Sequence, residues 1–401
     1  MAERKLGLGF IGLGQAANLV LRDRCELASL PYRIAAAAEV RPQALEVFRN
    51  EFGGETYDSV EALCASPNVD VVYVATGPEL HREHVITALE HNKHVIVEKP
   101  MALTVADCKA MIEAADRTGM HMLAGHTHSF DAPIRKMREI VDSGSLGRVV
   151  HVESWNCNEF NRRPWPTAEL RSTYGPLLNQ GPHHVDIMRQ LIGEPVRGVR
   201  GSVFWDPVRN CEGGYSCFLD FESGISAQLT YDGRGFFDTA ELFEWTGEGG
   251  QNRDPASNVQ MQRRFAELQL LGAEPMEAEL ERRKELGRYG APAGADSWAN
   301  WGYSATIDFP NQPFFGLTLV NCERGAMRQS PHGLLVYDEQ GRREVPLDKE
   351  VRGRAAELME LYNTVVHGKP AFHDGRWGMA TLEICLAMLA SSRERKEILL
   401  T

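Results

Sequence analysis

Through the first 125 residues, apolar positions fall in short unbroken runs separated by longer stretches where apolar residues recur every three or four positions. KLGLGFIG, YRIAAAAE, VDVVYVAT (69–76), HVIVEK and HMLAGH are too short for buried helices and read as strands covered on both faces. QAANLVLRDRCE, RPQALEVFRNEFG, ELHREHVITALEHN and TVADCKAMIEAADRTG lie between them with helical periodicity; Pro42 stands near the first turn of one and Thr104 opens another. Strand and helix in alternation predict a doubly wound parallel sheet over residues 1–125, a Rossmann-type domain. Its ligands are expected beyond the carboxyl ends of the strands.

The pattern changes after residue 126. SFDAPIRKMREIVDSG and GPHHVDIMRQLIG read as helices, the second ended by Gly193. GRVVHVESWN, RGVRGSVFW, GYSCFLDFE, GISAQLTYD, TAELFEWTG, FFGLTLVNCERG, GLLVYDEQG and RREVPLD read as strands, several joined by tight polar turns. They predict a second, α+β domain over 126–401 with a large, mostly antiparallel open sheet. One face of that sheet is expected to be covered by self-association, as a homodimer or homotetramer. Residues 247–300 interrupt the strands as an insertion whose charged middle, MEAELERRKELGRYG, predicts a solvated helix. Two helices, from Gly353 to Val366 and over GRWGMATLEICLAMLASSRERK, close the chain, with Leu382, Leu386 and Leu389 as core.

Composition narrows the partners. A formal charge of −12 argues against a nucleic-acid or anionic-membrane surface. No apolar run approaches the about 20 residues of a membrane span. Eight cysteines form no CxxC pair, which suits reduced thiols and a cytoplasmic location, and the N-terminus enters a strand at once, with no signal peptide expected.

The candidate chemistry sits at strand ends. Gly12-Leu13-Gly14-Gln15-Ala16-Ala17 is a G-x-G-x-x-A motif between the first strand and its helix. Gly12 permits a tight turn, Gly14 lets backbone approach a pyrophosphate, and Ala17 allows close packing of helix on strand. Glu39, at the end of the second strand, is placed to bind ribose hydroxyls and to repel a 2′-phosphate. NAD is therefore favoured over NADP, although Arg41 nearby can accommodate the phosphate. At the end of HVIVEK come Glu98, Lys99 and Pro100, an acid and an ammonium in the crevice followed by a rigid turn. His81 and His84 lie one helical turn apart on a face expected to be solvated. His126-x-His128 and His183/His184/Asp186 resemble metal pairs but lack a third ligand at fixed spacing, so no metal is expected.

These stretches carry a resemblance. GLGFIGLGQAA, VDVVYVATGPELHREHV, HVIVEKPMALT and NQGPHHVDIMRQLIG resemble the glucose-fructose oxidoreductase / inositol dehydrogenase family over nearly the whole chain. The resemblance implies a cis peptide before Pro100 and a Lys99 that contacts both nicotinamide and substrate hydroxyl, and it sets Gln15, Thr76 and Glu98 among the cofactor-binding residues. It implies a catalytic His183, with Asn179 where many members carry an aspartate; an amide there can bond a hydroxyl but cannot relay a proton. Gly125-His126-Thr127-His128-Ser129-Phe130-Asp131 and the loop Phe160-Asn161-Arg162-Arg163-Pro164-Trp165-Pro166 further resemble the phthalate-type cis-dihydrodiol dehydrogenases. By that likeness the enzyme oxidises a secondary alcohol with NAD, a carboxylated cis-dihydrodiol becoming a catechol, with His126, His128, Arg162 and Arg163 as candidate substrate-binding cations. A sugar, glycoside or polyol dehydrogenase is the alternative, and a non-catalytic NAD-binding regulator a second.

Overall fold

The computed structural model describes residues 4–22, 24–164, 169–291, 309–348 and 353–400. Trp165 and Pro166 of the arginine–proline loop, and residues 292–300 of the expected insertion, lie outside them. The described residues form two compact units.

The first unit contains a parallel sheet of six strands: β1 (Leu6–Ile11), β2 (Tyr32–Ala38), β3 (Glu55–Tyr57), β4 (Val71–Val74), β5 (His94–Glu98) and β6 (Met122–Gly125). Their order is β3-β2-β1-β4-β5-β6. All of β1 and β4 is buried, which explains why these runs do not alternate. Helices α1 (Gln15–Arg22), α2 (Pro42–Phe52), α3 (His81–Glu90) and α4 (Val105–Thr118) supply the crossovers. The start of α4 is fixed as expected: Thr104 is its N-cap, accepting the Asp107 N–H. Strand order reverses between β1 and β4, and there the ends of neighbouring strands leave a crevice.

This unit takes in more than its own first segment, so a single cut after residue 125 does not describe the chain. The first segment runs to Thr127, and parts of 283–305 and 351–382 belong with it. The reason is apolar burial. Ala355, Leu358, Leu361 and Tyr362, on the helix Gly353–His367, share one core with Leu6, Leu8, Phe10 and Tyr32. Tyr32 also donates to the Leu358 carbonyl at 2.8 Å, and Tyr362 to that of Arg4 at 2.9 Å. Tyr289, at the end of the insertion, joins the same core.

The second unit is built on a nine-stranded sheet of β7 (Val149–Cys157), β8 (Val196–Asp206), β9 (Cys211–Phe221), β10 (Ser226–Asp232), β11 (Leu317–Cys322), β12 (Gly325–Ser330), β13 (Gly333–Asp338), β14 (Gly341–Pro346) and β15 (Ile398–Leu399). Its order is β14-β13-β12-β11-β7-β10-β9-β8-β15, antiparallel except where β7 meets β10. Helices α5 (Ala132–Ser143) and α6 (Gly181–Ile192) belong to this unit, and every residue of α6 except Gln190 is buried. On the opposite face of the sheet, Trp155, Thr230, Ser216 and Ser202 form one cross-strand row. Trp155 and Phe218 are each 44% exposed there, an unusual outlook for large apolar side chains. TAELFEWTG, expected as a strand, instead contains a short 3-10 turn at Thr239–Phe243, started by Asp238 accepting the Ala240 N–H. The insertion forms two helices, Ser257–Gln269 and Ala273–Glu285. The second is not wholly solvated, since Met276 and Leu280 are buried against Phe265 and Leu268. Among the described residues, no helix is long and apolar enough to cross a membrane.

Candidate active site

In the first unit the glycine turn is shaped for an anion. Gly12 has φ of +85°, and a Cβ there would lie 2.9 Å from Thr76 Cγ2 and 3.0 Å from the Ala75 carbonyl oxygen. At Gly14 a Cβ would meet only the Ala75 oxygen, at 3.6 Å, so the space kept clear lies outside the protein. Ala17 is fully buried under the turn. The buried Gln15 Nε2 has no hydrogen-bond partner among the described residues, leaving a donor at the start of α1. This donor, the open side of Gly14 and the free N–H groups of the helix start fit a dinucleotide pyrophosphate.

Glu39 closes the turn. Its Oε2 accepts the Leu13 N–H at 2.8 Å and Arg41 Nη2 at 3.1 Å, while Oε1 accepts the Val40 and Arg41 N–H groups. Burial raises its pKa, but Arg41 and the Leu13 N–H outweigh burial and the carboxyl ends below its usual range. Arg41 does not reach outward. Its Nη2 also donates to the Leu13 carbonyl at 2.7 Å, and its Nη1 to the Tyr289 carbonyl at 3.2 Å. Thr76 Oγ1 lies 3.0 Å from His84 Nδ1 beside the same turn.

The EKP turn is held from beneath. The Lys99–Pro100 peptide is cis, as the resemblance implied. Glu98, expected among the cofactor-binding residues, is 5% exposed and bonded to interior side chains. Tyr73 donates to its Oε1 at 2.7 Å and Arg354 Nε at 2.8 Å. Burial opposes its charge, yet Arg354 and Lys99 keep it ionised, its pKa below the ordinary value. Lys99 itself is half-buried at the strand end. His81 is not on a solvated face. It is 1% exposed, its Nδ1 lying 3.0 Å from the Pro100 carbonyl and its Nε2 3.1 Å from that of Thr76. It therefore ties the EKP turn to the end of β4. His126 is also buried here, its ring 6.5 Å from that of His373.

In the second unit, α6 presents His183 in its first turn. The ring, 4% exposed, stands edge-on to His128 at 4.8 Å and to Phe315 at 5.2 Å. His128 stacks on Phe315 at 4.5 Å. Its Nδ1 meets Asp131 at 3.0 Å and its Nε2 meets Glu248 at 3.1 Å. Burial depresses its pKa, but the charge of Asp131 and then Glu248 prevails, pushing it up to about 9. At neutral pH His128 is a buried imidazolium. His184 is fixed differently, with Nε2 2.8 Å from Ser154 Oγ and Nδ1 3.0 Å from the Tyr215 hydroxyl. Burial first, and the His128 charge second, lower its pKa to about 3. It is a neutral core residue. Asn179 lies just before α6, half-buried, its Oδ1 accepting from Gln180 Nε2 at 2.8 Å.

The two arginines chosen for a substrate carboxylate are turned inward. Arg162 is 6% exposed and pairs with Asp206 at 2.6 Å. Arg163 is 7% exposed and pairs with Glu159 at 3.1 Å, which Arg253 also contacts. Buried guanidinium groups need such partners, and the loop's acids provide them. With His128 held between two carboxylates as well, three of the four expected cations are already matched by acids. Sequence reading missed the acids and also Phe315, Arg354 and His81. Only His81 left a signal, inside the quoted stretch TGPELHREHV. Among the described residues, no group of three or more His, Cys, Asp or Glu is placed to hold a metal.

Comparison with known proteins finds relatives for both parts of the chain. Residues 6–126 match the oxidoreductase family with an NAD-binding Rossmann fold, and residues 134–251 match the GFO/IDH/MocA C-terminal domain. The chain is 30% identical over 390 residues to 1-carboxy-3-chloro-3,4-dihydroxycyclohexa-1,5-diene dehydrogenase of Comamonas testosteroni, covering 96% of this chain and 94% of the relative. It is 29% identical over 254 residues to myo-inositol 2-dehydrogenase of Thermotoga maritima, covering 61% and 72% of the two. The crystal structure of a proposed dehydrogenase from Bordetella bronchiseptica RB50 superposes with a TM-score of 0.87 at 32% identity, covering 99% of this chain and 100% of the other. The chain is a member of the GFO/IDH/MocA family of NAD-binding oxidoreductases.

Proposed function

We propose that this enzyme dehydrogenates a secondary alcohol on a ring bearing vicinal hydroxyls, a cis-dihydrodiol whose oxidised form tautomerises to a catechol. The observation that carries the reading is the buried His183, held among His128 and Phe315 in a unit whose relative, similar along nearly its full length, is named for such a diol. Bound NAD supplies the hydride acceptor. His183 takes the hydroxyl proton as general base. Lys99 supplies an ammonium that can stabilise negative charge on a substrate oxygen. The Asn179 amide bonds the neighbouring hydroxyl. Phe315 offers an apolar wall to a flat ring. The first unit holds the cofactor and the second the alcohol.

The diol is the supported part of this reading. A ring carboxylate has lost three of its four proposed partners, because Arg162, Arg163 and His128 are matched by Asp206, Glu159, Asp131 and Glu248. That pairing favours, as a second reading, an uncharged polyol such as an inositol, and the likeness to the Thermotoga maritima enzyme supports it. NAD⁺ reduction should be screened over carboxylated and neutral dihydrodiols, inositols and glycosides. Turnover of a dihydrodiol supports the first reading; turnover of polyols alone transfers the assignment to the second. NAD⁺ binding without turnover of any alcohol leaves a regulator. We further place the enzyme in the cytoplasm as a homodimer or homotetramer, with the exposed sheet face around Trp155 and Phe218 as the contact.

A further inference from the structure

The residues that follow the helix Ala273–Glu285 are docked onto the adenosine end of the cofactor site. Asn18 on α1 donates from Nδ2 to the Gly287 carbonyl at 2.7 Å, a buried bond. Tyr289 is 5% exposed, stands edge-on to Phe48 of α2 at 6.4 Å, and donates to Glu51 at 2.7 Å. Gly290 has φ of +76°, and a Cβ there would fall 2.7 Å from Ala44 Cα, so the backbone lies directly on α2. The Tyr289 carbonyl, fixed by these contacts, accepts Arg41 Nη1 at 3.2 Å. The Nη2 of Arg41 is held by Leu13 and Glu39.

An arginine just past the ribose-binding acid is well placed to clamp a 2′-phosphate. Here its donors are already engaged by three acceptors. Glu39 cannot exclude the phosphate by charge alone, since Arg41 neutralises it at 3.1 Å. We propose that the segment Gly287–Gly290 is a specificity latch, which holds Arg41 turned in upon the glycine turn and so denies it to the 2′-phosphate of NADP. The determinant of cofactor choice is then shared between Glu39 and a segment almost 250 residues away in the chain.

The proposal rests on the dinucleotide site and not on the alcohol substrate, so binding alone tests it. NAD⁺ and NADP⁺ are titrated calorimetrically, without substrate, into the full-length enzyme. The wild type should prefer NAD⁺. Tyr289→Ala and Gly290→Ala should shift the ratio of dissociation constants toward NADP⁺ by about tenfold. Tyr289→Phe, which keeps the ring and loses the Glu51 bond, should shift it less and carries the test if the other two do not fold. Adding Arg41→Ala should abolish the gain. The latch is overturned by a wild type that binds both cofactors equally, by folded variants with an unchanged ratio, or by a gain that survives removal of Arg41.

Discussion

His128 is held as a cation by Asp131 and Glu248, and pH reads that pairing. It titrates near 6.5 when unfolded and at about 9 in the fold. Its pairing with Asp131 and Glu248 therefore stabilises fully below about 6.5, and that contribution is lost as pH rises through about 9. Thermal melts should decline across this window, and His128→Gln should flatten the decline. Arg162 gives a second case. Arg162→Ala leaves Asp206 buried without its cation and should cost about 3–5 kcal/mol in chemical denaturation. If Arg162 instead served substrate, KM would rise with stability unchanged. For the reaction, His183→Ala should lower kcat by roughly 10²–10⁴ while NAD⁺ affinity holds, and Lys99→Ala should also slow turnover; an unchanged rate removes that residue from the mechanism.

Secondary-structure elements were legible where local physics decides them. Leu6–Ile11 and Val71–Val74 read as strands because no residue in them is polar enough to face water. Thr104 announced its helix because an N-cap needs only its own neighbours. Lys99 at the strand end and His183 on α6 were singled out by the family resemblance, which short motifs carry. What escaped were contacts between distant parts of the chain: His81 on Pro100, Arg354 on Glu98, and Asp206 beside Arg162. Nothing in a helical repeat says which face a long-range partner will cover. His81→Phe tests one such contact. Its loss should lower kcat by altering the EKP turn, with NAD⁺ affinity little changed; equal kcat would make His81 a packing residue only. Leu358→Ala, in the helix Gly353–His367, should destabilise the first unit by about 2–5 kcal/mol, read from its unfolding in denaturant.

At the scale of the whole molecule the open sheet was predictable, because strands that alternate polar and apolar must bury one side only. Its outer face nevertheless keeps Trp155 and Phe218 in solvent. If copies of the chain meet there, Phe218→Asp should lower the mass measured by light scattering to that of one chain; an unchanged mass places the contact elsewhere. The sharing of one core between the first strands and Leu358, Leu361 and Tyr362 has a consequence for synthesis. A nascent chain that has just cleared residue 127 from the ribosome exposes all six parallel strands, yet lacks the apolar lid that arrives more than two hundred residues later. Until then the growing polypeptide carries an unfinished, chaperone-attractive surface, and its dinucleotide half can mature only near the end of translation.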